Sequence, residues 1–504
     1  MPKIILFFVA ALMHPLVPVQ AQEVKAQVLD ASTKAPVAFA HVLFSSDRGV
    51  VTNEEGFFSY TPEKEGEPVL LKVGSLGYEQ TEIDPTKIKN GRIFLKPSLM
   101  ELDEVILSAE DLSPAEIVER ARERVAENYE FGIRKRKVFY RKSDVSQIRK
   151  FDLHVDQSTI AGIDQNLMDQ IINEIPKTSD SYKEVLGNLY GNYSDQKIHV
   201  VKAANLHDPA STERLDQLTG RLEELFRESL KHRSYLKIRS GILGVKMDAE
   251  ELEEELEEDQ ENPSLETEQP EELDPDQIRG DAAGNIRHLL SGMFWKVDLP
   301  FDVFDKIRKY RFSLNGFARF NGSSVYVIEF EPKRGADFRG RIFIDALDFG
   351  VHRVDFENVK PLKKFKLFGI STSKDVHRGR MIFARNGSQK YVPSYLELET
   401  GQSFGIDRPL TIIEKNKFTP GRRKQNELNL DIRLQVRQLQ KFQLVVFSDE
   451  SFDSDGYDAL SPPKSFELKT FKKYDPDFWR GYDIMEPNTA IQQFTALEEG
   501  SKGG

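Results

Sequence analysis

A mostly β protein with α additions is what this chain predicts, on three grounds. Short segments alternate apolar and polar residues with a period of two near the N-terminus and again from Phe294 onward. Turn signals such as Asn53-Glu54-Glu55-Gly56, Asn321-Gly322 and Asn386-Gly387 punctuate those segments. Clear helical periodicity falls in the middle of the chain. The 504 residues, 39% of them hydrophobic, suffice for two or three cores at about 100–200 residues each. The expected order is a signal peptide (1–21), a seven-stranded β-sandwich (22–98), a linker and mixed α/β region (99–246) and an acidic disordered loop (247–281). An antiparallel β-rich domain with a curved or half-barrel sheet (282–450) and an extended tail (451–504) complete it.

The first residues set the address. Lys3, the apolar run Ile4 to Met13 and Val19-Gln20-Ala21 before Gln22 have the charged start, hydrophobic stretch and small-residue cleavage site of a Sec signal peptide. His14 and Pro15 interrupt the run, which is short for a span of about 20 residues. Export to the periplasm is the expectation. The chain has no cysteine, which excludes disulfides, thiolate metal sites, catalytic thiols and a lipid anchor on an N-terminal cysteine. Stability outside the cytoplasm must then come from burial.

In the sandwich, Val24, Ala26 and Val28 alternate with Lys25, Gln27 and Leu29, and Phe39, His41 and Leu43 with Ala40, Val42 and Phe44. Gly56 is placed to take a positive φ before the strand Phe57 to Tyr60. Gly74 and Gly77 frame a strand end or bulge beside Tyr78. This order of motifs over residues 23–97 resembles the carboxypeptidase-D-type regulatory domain, a transthyretin-like sandwich common in secreted proteins of Bacteroidota. The resemblance implies an interaction module and no chemical activity. Leu102-Asp103-Glu104-Val105-Ile106-Leu107 resembles the segment after the same domain in starch-utilisation-type TonB-dependent receptors, without the plug and barrel that follow there.

Ser113-Pro114-Ala115-Glu116 opens a helix: a Ser N-cap, Pro at the first position and Glu three residues after the cap. Ile117, Ala121 and Val125 form its apolar stripe. Lys137 to Tyr140 and Phe151 to Val155 read as separate strand pieces. Glu213 to Tyr235 reads as a second helix, with Leu215, Leu218, Leu222, Leu225 and Phe226 on one stripe. Glu among Arg on both faces, with no aromatic belt, favours packing on a core over lying on a membrane. Asp248 to Asp276 holds sixteen acidic residues and no basic one, more than the whole net charge of −12, so the rest of the chain is slightly basic. Like-charge crowding predicts a solvated loop running to about Gly280. Clustered carboxylates suit calcium, but the run lacks EF-hand spacing and a turn Gly.

From Phe294 two hairpins are marked, Phe317–Phe320 with Ser324–Phe330 and Arg380–Arg385 with Ser388–Tyr395. Between them Phe338 to Asp345 alternates, followed by a turn at Asp348-Phe349-Gly350 and a strand Val351 to Phe356. That pair of strands resembles half-barrel periplasmic lipoprotein carriers, which implies a sheet able to hold lipid. Taken with the sandwich, the capped helix and Phe139-Tyr140-Arg141, the whole chain resembles a family of envelope proteins built on the regulatory domain. Longer members continue into an outer-membrane barrel; the charge density of 300–450 and the Gly-rich terminus argue against one here.

No catalytic, cofactor-binding or metal-ligating residue is assigned. None of the nine histidines has Glu three positions on, and His352 and Asp355 in a strand point to opposite faces, so a zinc peptidase is excluded. Gly401-Gln402-Ser403-Phe404-Gly405 spells a nucleophile elbow, but strand-like residues follow where a helix is required, so a Gly-rich loop between strands is expected. His154 and Asp156 share one strand face as a surface pair. Gly241 to Lys246 lacks the spacing of a phosphate loop. The basic clusters Arg134-Lys135-Arg136-Lys137 and Arg422-Arg423-Lys424 suit anionic lipid, lipopolysaccharide phosphates or an acidic partner, not nucleic acid behind a signal peptide.

The expected function is an exported, non-enzymatic binding or scaffold protein of the periplasm, peripheral to the outer membrane, docking an envelope protein through its sandwich. No cofactor is expected. The alternative is a lipid or lipoprotein carrier, with Phe, Ile and Val lining the sheet of 294–440. A hydrolase acting through Ser403 or dispersed carboxylates ranks third.

Overall fold

The computed structural model describes residues 23–44, 49–60, 70–100, 112–208, 220–222, 224–231, 233–241, 243–248, 274–320, 323–418, 423–463 and 465–495. The chain is mostly β, with the expected sandwich at its N-terminal end. β1 (Val24–Asp30), β2 (His41–Leu43), β3 (Gly49–Val51), β4 (Phe57–Tyr60), β5 (Leu71–Gly74), β6 (Thr81–Ile83) and β7 (Arg92–Leu95) make two sheets, ordered β4-β1-β7 and β3-β2-β5-β6. Their alternation buries Ala26, Val28, Val42, Phe58, Leu71 and Val73 between them. Gly56 has φ +77°, and a Cβ there would lie 2.5 Å from the Val28 carbonyl oxygen, so this turn requires glycine.

The remaining strands form one 15-stranded sheet. They are β8 (Leu99–Met100), β9 (Arg134–Ser158), β10 (Thr178–Gly191), β11 (Gln196–Leu206), β12 (Ser234–Ser240), β13 (Leu243–Asp248), β14 (Tyr310–Phe320) and β15 (Ser323–Pro332). Then follow β16 (Phe338–Asp345), β17 (Val351–Asn358), β18 (Lys363–Leu367), β19 (Ile370–Arg385), β20 (Tyr391–Asn416), β21 (Lys424–Ser451) and β22 (Glu467–Phe471). The order is β22-β11-β10-β9-β21-β20-β19-β17-β16-β15-β14-β8, with the β12–β13 hairpin on β20 and β18 on β19. β20 and β21, of 26 and 28 residues, extend about 85–95 Å at ~3.3 Å per residue.

This sheet takes strands from both sides of the expected border, β8–β13 before it and β14–β22 after it, so that border between a mixed region and a later β domain does not separate two sheets. The pieces at 137–140 and 151–155 are one strand, because Ser143, Asp144, Ser146 and Gln147 all pair with β10 and β21. Both hairpins form. The first turn, Asn321-Gly322, lies outside the described residues. The second turn takes residues 386–390 and not Asn386-Gly387 alone, with Gln389 at φ +61° and the Asn386 Oδ1 accepting from the Ser388 and Lys390 amides. β20 accordingly starts at Tyr391 and not at Ser388.

One face of the sheet carries helices. The helix Pro114–Glu123 has the expected capping box: Ser113 and Glu116 exchange hydrogen bonds. It packs with helix Pro275–Ser291 and the Phe294, Phe301 and Phe304 side chains over β14–β17, β19–β21 and β9–β11 in the largest core. The acidic loop was expected to run to Gly280. Asp274 instead caps the helix at Pro275, and Ile278, Ala282, Ile286, Leu289 and Leu290 bury its stripe; residues 247–248 belong to β13. The run between lies outside the described residues. A second core on the same face joins helix Gln165–Glu174 to the far ends of β9, β20 and β21. Leu222, Leu225 and Phe226 pack there, as expected, while Leu215 and Leu218 lie outside the described residues. Tyr235, expected in that helix, belongs to β12.

The opposite face receives the sandwich, and the C-terminal segment cements the two. Phe471, Phe478, Trp479, Ile484, Met485, Ile491 and Phe494 share one core with the sandwich interior and with Phe139, Tyr395 and Val445 of the sheet. Residues 465–495 are therefore a packed strap and not a free tail. Arg141 and Glu184, 2% and 1% exposed, pair at 2.6 Å. Glu184 also accepts the Trp479 indole N–H at 2.7 Å, and Arg141 donates to the Met485 carbonyl at 2.8 Å. Such a buried pair is tolerated because its polar groups are satisfied by the strap.

Candidate functional site

The residues weighed from sequence do not converge. Ser403 sits inside the continuous strand β20, where its hydroxyl donates to Asp375 at 3.1 Å; there is neither an elbow nor the expected loop. A ladder that pairs every residue from Gly401 to Gly405 with β21 overrides the glycines' turn preference. His154 and Asp156 are an exposed pair 3.7 Å apart. His352 turns away from Asp355 and meets the fully buried Asp345, Nε2 to Oδ2 3.2 Å. Burial pushes the Asp345 carboxyl up, but the His352 hydrogen bond, the Leu347 amide and the His352 and Arg385 charges outweigh it and hold it below its ordinary value. Among the described residues no group of three or more His, Asp or Glu is placed to hold a metal ion.

The basic cluster at 134–137 is neutralised. Arg134 and Arg136 are buried on Asp449, Lys137 pairs with Asp483 and Lys135 with Glu450. In the second cluster Lys424 pairs with Glu427, and Arg422 lies outside the described residues. The first cluster thus offers no free positive surface, whereas Arg423 of the second is exposed.

Two other features do present a surface. The first is a groove of about 670 Å³ where the sandwich, through Phe39 and Glu54, walls the uncovered part of the sheet's opposite face. Its floor is striped by charge. β15 presents Glu329 and Glu331, β16 Arg339 and Arg341, β17 Asp355 and Glu357, β19 Arg378 and Arg380, and β20 Glu397 and Glu399. Direct cross-strand pairs place opposite signs side by side. Lys441 closes the floor toward the sandwich; burial works against its charge, but Glu397 and Glu54 hold its pKa above the ordinary lysine value.

The second is a bare strip on the helical face. Along β21 the side chains at 428 and 430 lie under the far cover and those at 442 and 444 under the near one. Leu434 and Val436 between them point the same way, because strand side chains alternate, yet neither joins a core. Register continues each into a row across five strands: Leu367–Ile370–Ile406–Leu434–Phe151, and Phe365–Thr372–Phe404–Val436–Ile148. None of these ten side chains is buried, and Leu367, Phe365 and Phe404 are 49%, 50% and 44% exposed. Four strand spacings of about 4.8 Å make the rows ~19 Å long. The next row sets Lys363 directly opposite Lys374, a like-charge pair that costs energy unless an anion joins it. Lys363, Lys364, Lys366 and Lys374 have no ion-pair partner among the described residues.

Sequence reasoning missed the strip because its apolar residues come from five strands distant in sequence. The one local signal was Lys363-Lys364-Phe365-Lys366-Leu367-Phe368, with Phe368 56% exposed.

No protein-family profile matches this chain, and no curated protein does. Among solved structures, a domain described as an outer membrane lipoprotein-sorting protein from Vibrio parahaemolyticus is 10% identical, with TM-score 0.17, over 63% of this chain and 91% of its own. The MucA/MucB complex of Pseudomonas aeruginosa is 8% identical, with TM-score 0.17, over 64% of this chain and 93% of the matched chain. Similarity at that level carries no function across. Among the described residues no helix is long and apolar enough to cross a membrane.

Proposed function

We propose that this chain is an exported, non-enzymatic binding protein that holds an anionic amphiphile on the bare strip, with its apolar chain along the two rows and its anionic head at Lys363 and Lys374. One observation supports this above the others: a sheet face covered at both ends leaves two apolar rows open beside a lysine pair that has no ion-pair partner among the described residues. Monomeric proteins rarely expose contiguous apolar area without a partner for it. The sheet expected to cradle lipid, 294–440, has its apolar face near β14–β17 filled by the chain's own helix and aromatic cluster. The carrier reading therefore moves to the strip. Titration of the full chain with lysophosphatidylglycerol below its micellar concentration tests it: binding should be saturable and should disappear in Phe404→Asp.

A second reading, docking of an envelope protein through the regulatory-like sandwich, is favoured by its free edges. Among the described residues β6 and β7 each pair on one side only, and Phe94 on β7 is 43% exposed. Exposed edges accept an added strand. A photo-crosslinker at position 94 should capture one protein in intact cells, and a crosslinker at Asp407 should not. Equal capture from both positions counts against it.

A further inference from the structure

A cavity of about 440 Å³ lies between the sandwich and the large sheet and shares no lining residue with the charged groove. β2, β3 and β5 wall it from the sandwich, and β17, the β19–β20 hairpin and the end of β21 wall it from the sheet. Leu43, Val50 and Val51 of the first and Phe320, Val392 and Phe447 of the second make the wall mainly apolar. Exposed Gln80 and Gln389 also line it, so it opens to solvent. Its volume falls in the usual range of small-molecule pockets, about 300–1,000 Å³, which favour junctions between domains.

The charged side chains of the lining are each matched by opposite charge. Lys72 pairs with Glu82 at 3.2 Å, Arg385 with Asp348 at 2.8 Å and Asp345 at 3.2 Å, and Asp449 with Arg134 at 2.6 Å and Arg136 at 2.8 Å. Nothing there selects an ion. The open polar groups are of another kind. His41 Nε2 is buried with no hydrogen-bond partner among the described residues. Burial first, then the Arg353 and His352 charges, lower the His41 pKa to about 4, so the ring is uncharged in neutral solution. His352, 4% exposed, meets the Asp345 carboxylate through Nε2 at 3.2 Å. A carboxylate only accepts, so that nitrogen carries a proton, while the buried Nδ1 has no partner among the described residues. Asn386 accepts the Ser388 and Lys390 amides on Oδ1, and its buried Nδ2 is likewise without a partner there. Both histidine rings pack on Phe320, at 6.0 and 5.3 Å between centroids, which sets them within the apolar wall.

We propose, independently of the amphiphile reading, that this cavity binds an uncharged, mainly apolar molecule carrying a hydroxyl group. A charged ligand would lose its hydration against an apolar wall that offers no free counter-charge. A hydroxyl both donates and accepts, so it suits a histidine nitrogen in either role and the Asn386 amide. Water can meet the same nitrogens, but only an apolar ligand body also removes the wall from water.

The test titrates the full chain in neutral solution with three probes of similar shape: naphthol, naphthalene and naphthoate. Naphthol should bind saturably by fluorescence, and naphthalene and naphthoate about tenfold or more weakly. His41→Phe should weaken naphthol binding about threefold or more, yet keep or raise the melting temperature, because it removes a buried nitrogen that has no partner. Gly74 lines the cavity, and the nearest neighbours of a Cβ there are Gln80 atoms at 3.5–3.8 Å. Gly74→Leu should therefore fill the space without unfolding the sandwich and abolish binding. Losses in both variants support the site. Absence of naphthol binding, equal affinity for naphthol and naphthalene, or binding that both variants retain overturns it. Phe404→Asp, on the other face, should leave naphthol binding unchanged, so that failure of the strip and failure of this cavity remain separate results.

Discussion

The helical face of the large sheet is covered at its two ends and bare in its middle, although the same strands run through all three parts. At the near end Phe442 and Leu444 of β21 lie under the helix Pro275–Ser291, and at the far end Leu428 and Leu430 lie beside the helix Gln165–Glu174. Between them Leu434 and Val436 continue the same alternation with nothing from the described chain over them. Apolar side chains under a cover contribute to stability. Apolar side chains on a bare strip of a long, fully paired sheet contribute little, so their bulk is better explained by what they bind. The comparison separates two roles for identical residue types.

The largest effect should come from the covered end. Ile286 is fully buried in the near cover, and Ile286→Ala should cost about 2–5 kcal/mol in denaturant unfolding. A loss under about 1 kcal/mol would mean that the cover does not hold the sheet. A smaller loss, about 1–3 kcal/mol, is expected for Gly56→Val in the sandwich, where a branched side chain meets both the positive φ and the Val28 carbonyl. That variant sharpens the contrast, because amphiphile binding should survive it.

In the bare middle the ranking inverts. Leu434→Ser should change stability by less than about 1 kcal/mol while amphiphile binding falls more than about tenfold. Lys374→Glu should weaken binding of an anionic amphiphile and leave a zwitterionic one unaffected. A variant that loses stability and binding together would show that the strip is an unrecognised core.

The smallest effect is a pH slope at the near cover. His377, between Phe338 and Phe356, has its pKa lowered to about 4, by burial first and by His288 and Lys374 after it. Its folded value lies below its ordinary 6.5, so the unfolded chain takes up the proton first. Its contribution is complete above pH 6.5 and is lost as pH falls from there toward about 4. His377→Gln should flatten part of that decline in melting temperature.

Local signals were legible and long-range ones were not. The sandwich, the capping box at Ser113 and both hairpins follow from turn chemistry and alternation within a dozen residues. The helix at Pro275 was obscured by the charge run before it, although Asp274-Pro275 and the stripe from Ile278 were present. The C-terminal strap reads as irregular because its aromatic residues are buried by tertiary contact and not by periodicity. The strip is not local in sequence: each row draws one residue from each strand, and only register brings them together.

The most direct test is native mass spectrometry of the protein purified from its own envelope, run beside Phe404→Asp prepared in the same way. The wild type should carry a bound mass that resolves on collisional release into an anionic amphiphile, and the variant should be bare at an unchanged melting temperature. A wild type free of added mass, or a variant that retains it, would contradict the assignment of the bare strip as a binding surface.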